Sequence, residues 1–275
     1  MTLKPNSPNS VRQPAVAGYF YDNDPHRLSD IIRDYLKEAA AGVKIRPGCL
    51  GVVCPHAGYV YSGMIAARSY LEISAGSYPY VLMIGPDHAA AGPPAAYSTH
   101  DRWMTPLGAT DVAYENEMIQ KCDIKSGVAY HDREHSLEVQ LPFIQHIFGQ
   151  IPISPILLAD QSERIATKLG QSLARCLGSP AVIASSDLTH YEPEERAQRQ
   201  DRYLIDNMLD LDIKGFYQTL REKRVTACGY GAIACVMQYC IERGGSFGKL
   251  LQYQTSGKQS GQYDSVVGYG SVAFY

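Results

Sequence analysis

The feature that most constrains this chain is a thrice-repeated pattern in which a short apolar run stops abruptly and leaves a histidine just past its end. The run at residues 51–54 breaks at Pro55-His56, the run from Tyr80 breaks at Gly85-Pro86 before His88, and the run from Ala181 breaks at Ser185-Ser186 before Asp187 and His190. Each run reads as a buried strand that delivers polar groups at its C-terminal end. In open α/β sheets, ligands and chemistry gather in the crevice outside the carboxyl ends of the strands. Three such ends would bring His56, His88 and His190 together from distant parts of the chain, and a metal site is the first hypothesis.

The segments between these strands read as helices. Asp24-Pro25 starts one, with Leu28, Ile31, Ile32, Tyr35 and Leu36 on a stripe of helical period. A second, which Ser62 would cap, joins the first two histidine-bearing strands at the length of a right-handed crossover. Further on, Leu137, Leu141, Ile144 and Phe148 share a helical face behind Ser136 as a candidate N-cap, with Pro142 a kink or a first-turn residue. A strand near residues 153–157, helices at 161–176, 194–209 and 213–222, and a helix entered at Cys228 continue the alternation. Two closing strands, KLLQYQTSG and DSVVGYGSVAFY, are expected to pair antiparallel at one edge of the sheet. The fold class is therefore α/β with a mostly parallel, mixed sheet, organised as one domain over residues 1–275. Residues 1–13 are expected to form a flexible arm, and the irregular stretch at 93–112, which holds the sole tryptophan, a wall or lid over the site.

Composition narrows the function. At 275 residues and 45% hydrophobic the chain can bury a substantial core. A net charge of −3 with scattered Lys and Arg lacks the basic footprint of a nucleic-acid binder, so small molecules, peptides or a protein partner are the expected ligands. No apolar run approaches the roughly 20 residues of a spanning helix, and the polar N-terminus suggests no leader, so a cytoplasmic protein that does not enter membranes is expected. The seven cysteines form no CxxC pair and are expected to be reduced.

Imidazoles are common ligands of iron, copper and zinc, and His56 with His88 is the natural co-ligand pair. Two candidates could supply the anionic third ligand. Asp187 would complete a facial triad of two His and one carboxylate, leaving His190 as acid/base. Cys228, at a helix N-terminus where the dipole favours thiolate, would give a softer donor. His135 and Glu138, close together at a helix start, are candidates for supporting the ligands by hydrogen bonding. His26, His100, His131 and His146 show no converging partner. The GxSxG match at residues 244–248 lies between a helix and a strand, the wrong order for a nucleophile elbow, and no glycine motif fits a nucleotide site.

Several stretches resemble the Memo family, also called AmmeMemoRadiSam system protein B: RQPAVAGYFY, CPHAGYVYSG, GPDH, WMTPLG, EHSLEVQLPF, SSDLTHY, ACGYG and SVVGYGSVAF. The resemblance spans nearly the whole chain and implies a three-layer α/β/α fold similar to class III extradiol dioxygenases. It implies a site in the place of their non-haem iron, formed by His56, His88 and Cys228, with Asp187 and His190 lining the pocket. Where the family has an Arg and later a Pro after the cysteine, this chain has Tyr230 and Ala232. Two functions follow as expectations. One is a redox enzyme or dioxygenase using Fe(II), or else copper or zinc, with His190 as proton shuttle and Asp187 as its orienter. The other is a non-enzymatic, metal-dependent peptide- or protein-binding module that keeps an ancestral pocket.

Overall fold

The computed structural model describes residues 10–90, 92–113, 122, 124–176 and 178–275. In chain order these form β1 (Val11–Arg12), α1 (Pro25–Ala40), β2 (Gly51–Cys54), α2 (Tyr59–Ser74), β3 (Val81–Pro86), β4 (Ala95–Tyr97), β5 (Arg102–Thr105), β6 (Gly108–Asp111) and β7 (Lys125–Ser126). They continue with α3 (Leu141–Phe148), β8 (Ile153–Leu158), α4 (Glu163–Cys176), β9 (Ala181–Ser185), β10 (His190–Glu192), α5 (Glu194–Leu209), α6 (Ile213–Lys223), α7 (Tyr230–Glu242), β11 (Gly248–Thr255), α8 (Gly257–Ser260) and β12 (Val266–Phe274).

Among the described residues, nine strands make one mixed sheet in the order β10-β12-β2-β9-β3-β8-β4-β7, with β11 also on β12. Its centre, β2-β9-β3-β8, is parallel, and every residue of these four strands is buried. Such strands must be apolar on both faces, which is why each reads as a continuous hydrophobic run. The alternation of side chains then divides the core in two. Val53, Leu82, Ile84, Val182 and Ala184 pack with α4 to α7 on one side, while Val52, Cys54, Val81, Met83 and Ile183 pack with α1, α2 and α3 on the other. The result is a three-layer α/β/α arrangement. Antiparallel pairing is confined to the flanks, where β12 pairs β2, β10 and β11, and β4 pairs β8. No helix among the described residues is long and apolar enough to cross a membrane.

Four local expectations are corrected. Residues 1–9 of the expected arm lie outside the described residues, but Val11 and Arg12 pair in parallel with Arg102 and Trp103, and Arg12 is buried. The stretch at 93–112 is no lid: it forms β4, β5 and β6, and its Trp103 lies 1% exposed with Nε1 donating to Ser98 Oγ. Helix α2 begins at Tyr59, so Ser62 sits inside it and donates to the Ala57 carbonyl. Helix α3 begins only at Leu141, with Pro142 in its first turn, because residues 136–140 form turns instead. Asp24 does cap α1, accepting the Arg27 N–H.

Sheet and site meet at Gly85. A Cβ there would lie 2.8 Å from Leu137 Cδ2 and 2.9 Å from Ser136 Oγ, so a glycine is what allows the 134–138 turn to press on the end of β3. The variant Gly85→Ala is expected to overpack this contact and cost about 1–3 kcal/mol. Urea unfolding checks this, and an unchanged midpoint would mean that the turn yields freely.

Candidate metal centre

Strand β2 ends at Cys54, and the chain turns sharply through Pro55 to present His56. The turn is fixed by Asp187, beyond the neighbouring strand β9, whose Oδ1 accepts the His56 backbone N–H at 2.8 Å. The imidazole is held separately. Its Nδ1 lies 2.9 Å from Ser185 Oγ, and the hydroxyl's single proton goes to the Ser136 carbonyl at 2.7 Å. Gln140 Nε2 also donates to Ser185 Oγ at 2.8 Å, its amide oriented by donation to the Pro55 carbonyl and by acceptance from Tyr70 O–H. With its proton already committed, Ser185 Oγ can only accept from the ring. His56 therefore carries its proton on Nδ1, and Nε2 presents its lone pair as an accepting or ligating atom.

His88, beyond the end of β3, is oriented by Glu134. One carboxylate oxygen accepts the His88 backbone N–H at 2.8 Å and the other pairs with Nδ1 at 2.9 Å. The second oxygen also takes the Ser136 N–H at 2.8 Å and lies 3.5 Å from His135 Nδ1. Burial opposes ionisation of Glu134, but the His88 hydrogen bond and charge and these N–H groups prevail and bring its pKa down to about 2. For His88, burial works downward and Glu134 outweighs it, giving a net rise. A carboxylate on Nδ1 is the support that a metal-bound imidazole commonly has, and it again leaves Nε2 outward.

His135 follows Glu134 directly and stacks on His88, with ring centroids 4.7 Å apart and planes at 13°. Ligand atoms of His56, His88 and His135 all lie within 4.8 Å of one another, so the three form a cluster able to hold a metal ion. Burial, and then the charges of its two neighbours, press the His56 pKa well below its usual value; burial also lowers that of His135. The cluster opens on one side. His88 is 35% exposed, and with His135, Glu134, Tyr130, Arg133 and Asp87 it lines a cleft of about 490 Å³.

Cys228 enters from the opposite side of the sheet, just ahead of α7. Its Sγ lies 3.2 Å from His56 Nε2, and Asp187 N–H donates to it at 3.3 Å. Gln161 secures this turn by donating to the Cys228 carbonyl and accepting the Gly231 N–H, each at 2.8 Å. The helix start was expected to give Cys228 more thiolate character than Cys235 or Cys240, and desolvation raises all three thiols. Burial, joined by the nearby Asp187 charge, pushes the Cys228 thiol pKa up. A helix dipole is worth roughly 0.3–1 kcal/mol at an exposed terminus, less than the several kcal/mol needed to desolvate an ion.

Asp187 and His190 also differ from expectation. Burial raises the Asp187 pKa to about 6 despite the N–H groups it accepts, and the carboxylate holds the His56 turn instead of orienting His190. His190 Nδ1 donates to the carbonyls of Leu188 at 2.7 Å and Thr226 at 3.0 Å, which leaves its Nε2 as the proton-accepting atom.

Glu138 supports no histidine by a hydrogen bond. Its fully buried carboxylate accepts from Arg12 Nη1 at 2.7 Å, Tyr21 O–H at 2.6 Å and the N–H groups of Ala15 and Val16. Removing one partner of such a buried pair costs about 3–5 kcal/mol because it strands the other charge. Sequence reading placed the supporting carboxylate four residues too late. The EHSLEVQLPF stretch contains both, and Glu134 is the one on the histidines. Of the histidines without an expected partner, His100 pairs with Asp132 and Ser98, whereas His131, beside Trp103, is fully buried and held near pKa 3 by burial and Arg12.

Comparison with known proteins adds a family. A model described as Memo-like protein matches residues 12–273. A MEMO1 family protein of Nitrosopumilus maritimus is 42% identical over 273 residues, covering 96% of this chain and 99% of the relative. One from Caldivirga maquilingensis is 39% identical with the same coverages, and one from Methanosarcina barkeri is 40% identical over 95% and 99%.

The network yields two expected outcomes. Nitrogen-15 NMR of the metal-free protein near neutral pH should show His56 as the Nδ1–H tautomer, and Ser185→Ala should shift the ring toward a tautomer mixture. An Nε2–H signal in the wild type would refute the proton assignment. Glu134 supplies the second outcome. Its folded pKa of about 2 lies below the ordinary 4.5, so its stabilisation is complete above pH 4.5 and is lost as pH falls toward 2. The loss is on the order of 3 kcal/mol. Urea midpoints across that window should fall more steeply for wild type than for Glu134→Gln, and parallel curves would contradict this.

Proposed function

The chain belongs to the Memo family, and from that premise we propose that its strand-end histidines hold a transition metal that serves redox chemistry on a small-molecule or peptide ligand. The observation that carries the proposal is the donor set. The Nδ1 atoms of His56 and His88 are engaged by Ser185 and Glu134, which turns both Nε2 atoms outward, and a thiol touches one of them at 3.2 Å. Two donors on a tetrahedral zinc-like ion stand about 3.5 Å apart, so the Sγ and Nε2 need part by only a few tenths of an ångström. Nitrogen with sulfur suits iron, copper or zinc, and Fe(II) is the ion we propose. When bound, the metal would supply a redox-active Lewis acid with positions open to dioxygen or substrate.

The protein's own groups then divide the remaining work. His56, His88 and Cys228 bind the metal, and the substrate enters by the cleft beside His88 and His135. Asp187 keeps the His56 turn in place. His190, with Nδ1 fixed on two carbonyls, moves a proton at Nε2. The convergence of three imidazoles favours a second ligand set, His56, His88 and His135. In that case Cys228 remains a neutral thiol beside the metal.

Metal analysis of protein purified without chelator tests the centre. His56→Ala and His88→Ala should each lose bound metal while staying folded, and wild-type metal content in both would overturn the proposal. A thiolate-to-metal charge-transfer band that Cys228→Ser removes and His135→Ala retains would fix the first ligand set; the reverse dependence of metal content fixes the second. Oxygen uptake by iron-loaded protein with catechols and small reductants tests turnover. Stoichiometric metal with no turnover would support the binding-module function instead. His190→Ala should keep the metal and lower turnover by roughly 10²- to 10⁴-fold.

A further inference from the structure

We infer that the N-terminal segment at residues 12–21 is a strap that sets the geometry of the histidine cluster, with Arg12 the positioning residue for Glu134 and His135. Only its consequence for metal affinity rests on the metal-binding function proposed above. Residues 131–140, which carry Glu134 and His135, belong to no helix or strand. Their position must therefore be imposed by contacts from elsewhere.

Arg12 supplies those contacts. Its guanidinium is 1% exposed, lies 4.4 Å from the Trp103 ring centroid, and spreads its donors over three residues of the turn. Nε donates to the His131 carbonyl, Nη2 to the Glu134 carbonyl and Nη1 to Glu138 Oε2, each at 2.7 Å. Glu138 returns the hold by accepting Ala15 N–H at 2.8 Å, Val16 N–H at 3.0 Å and Tyr21 O–H at 2.6 Å. Between these anchors the strap places Phe20 against His135, with ring centroids 4.8 Å apart. The backbone that Arg12 grips is that of Glu134, and the Glu134 side chain orients His88 through its N–H and Nδ1. A shift of the guanidinium thus passes through one residue to two of the three clustered imidazoles.

A planar five-donor fork can serve three acceptors in fixed directions, whereas an ammonium keeps the charge but not the directions. Arg12→Lys separates the two. In the metal-free protein it should displace the His88 and His135 imidazole nitrogen-15 resonances, which a purely stabilising role would leave in place. It should also weaken Co(II) binding by about 10- to 100-fold, the usual effect of disturbing a ligand's supporting group. Tyr21→Phe removes one donor to Glu138 without touching the ion pair and should move the same resonances less far; it carries the test if Arg12→Lys does not fold. Leu173→Ala, in the core on the other side of the sheet, is the destabilised control and should leave both readouts at wild-type values. Unmoved resonances in the folded strap variants, or equal shifts in the Leu173 control, would overturn the strap. Moved resonances in a protein whose wild type binds no metal would uphold the strap while refuting the metal centre.

Discussion

A strand covered on both faces has no place along its length for a group that exchanges protons or binds ions, and this constraint organises the molecule. Strands β2, β9, β3 and β8 are buried throughout, so their side chains are almost wholly apolar and the first residues able to do chemistry are those just past their ends. Parallel pairing puts those ends on one edge. Cys54 is level with Ser185, and Ile84 with Ala184, so the turns carrying His56, His88 and Asp187 emerge together.

Once side chains gather there, the supply of acceptors decides what each can do. Backbone carbonyls and ionised carboxylates cannot donate, so they fix protons on the groups that face them. The Ser136 carbonyl claims the Ser185 proton, which forces His56 to donate at Nδ1; Glu134 does the same for His88, and the carbonyls of Leu188 and Thr226 for His190. Three imidazoles from three parts of the chain thus share one protonation pattern. Ser136, Glu134 and Leu188 are buried, where an unmatched donor would cost about 1–3 kcal/mol.

The strand ends were legible in the sequence because burial writes itself as an unbroken apolar run, and a break after such a run is equally plain. Helices with an amphipathic stripe were found to within a few residues for the same reason. The 134–138 turn was legible only in part: His135 and Glu138 were expected beside the ligands, but Glu134 was not. Periodicity extended a helix backward through it, whereas the packing of Leu137 and Ser136 onto Gly85 holds it as turns, and the Glu134 contact with His88 spans 46 residues with no local signal. Arg12 was missed because an arginine in a polar N-terminal segment has the composition of a solvated arm; only the distant pairing of Val11 and Arg12 with β5 shows it buried. Cys228 was expected to have more thiolate character than Cys235 or Cys240, and desolvation raises all three thiols, an effect that a helix start read from sequence does not reveal. The link from Asp187 to His190 failed because nearness in sequence was taken for a hydrogen bond, and nearer carbonyls took the ring nitrogen.

The completed cluster has an inner and an outer side, and their chemistry differs. On the inner side His56 and Asp187 are buried and Cys228 beside them is partly exposed, and desolvation holds all three toward their neutral forms. On the outer side His88 and His135 border the open cleft, and Glu134 beneath them is the group held firmly ionised. Under the proposed metal-binding function, a cation entering by the cleft would meet imidazoles backed by a fixed negative charge before it met the partly exposed thiol of Cys228. A neutral thiol becomes a good ligand only by losing its proton, which burial opposes and a bound cation favours. If the cluster holds a metal as proposed, the placement of His88 and His135, set by Glu134 and through it by Arg12, comes before any role for Cys228.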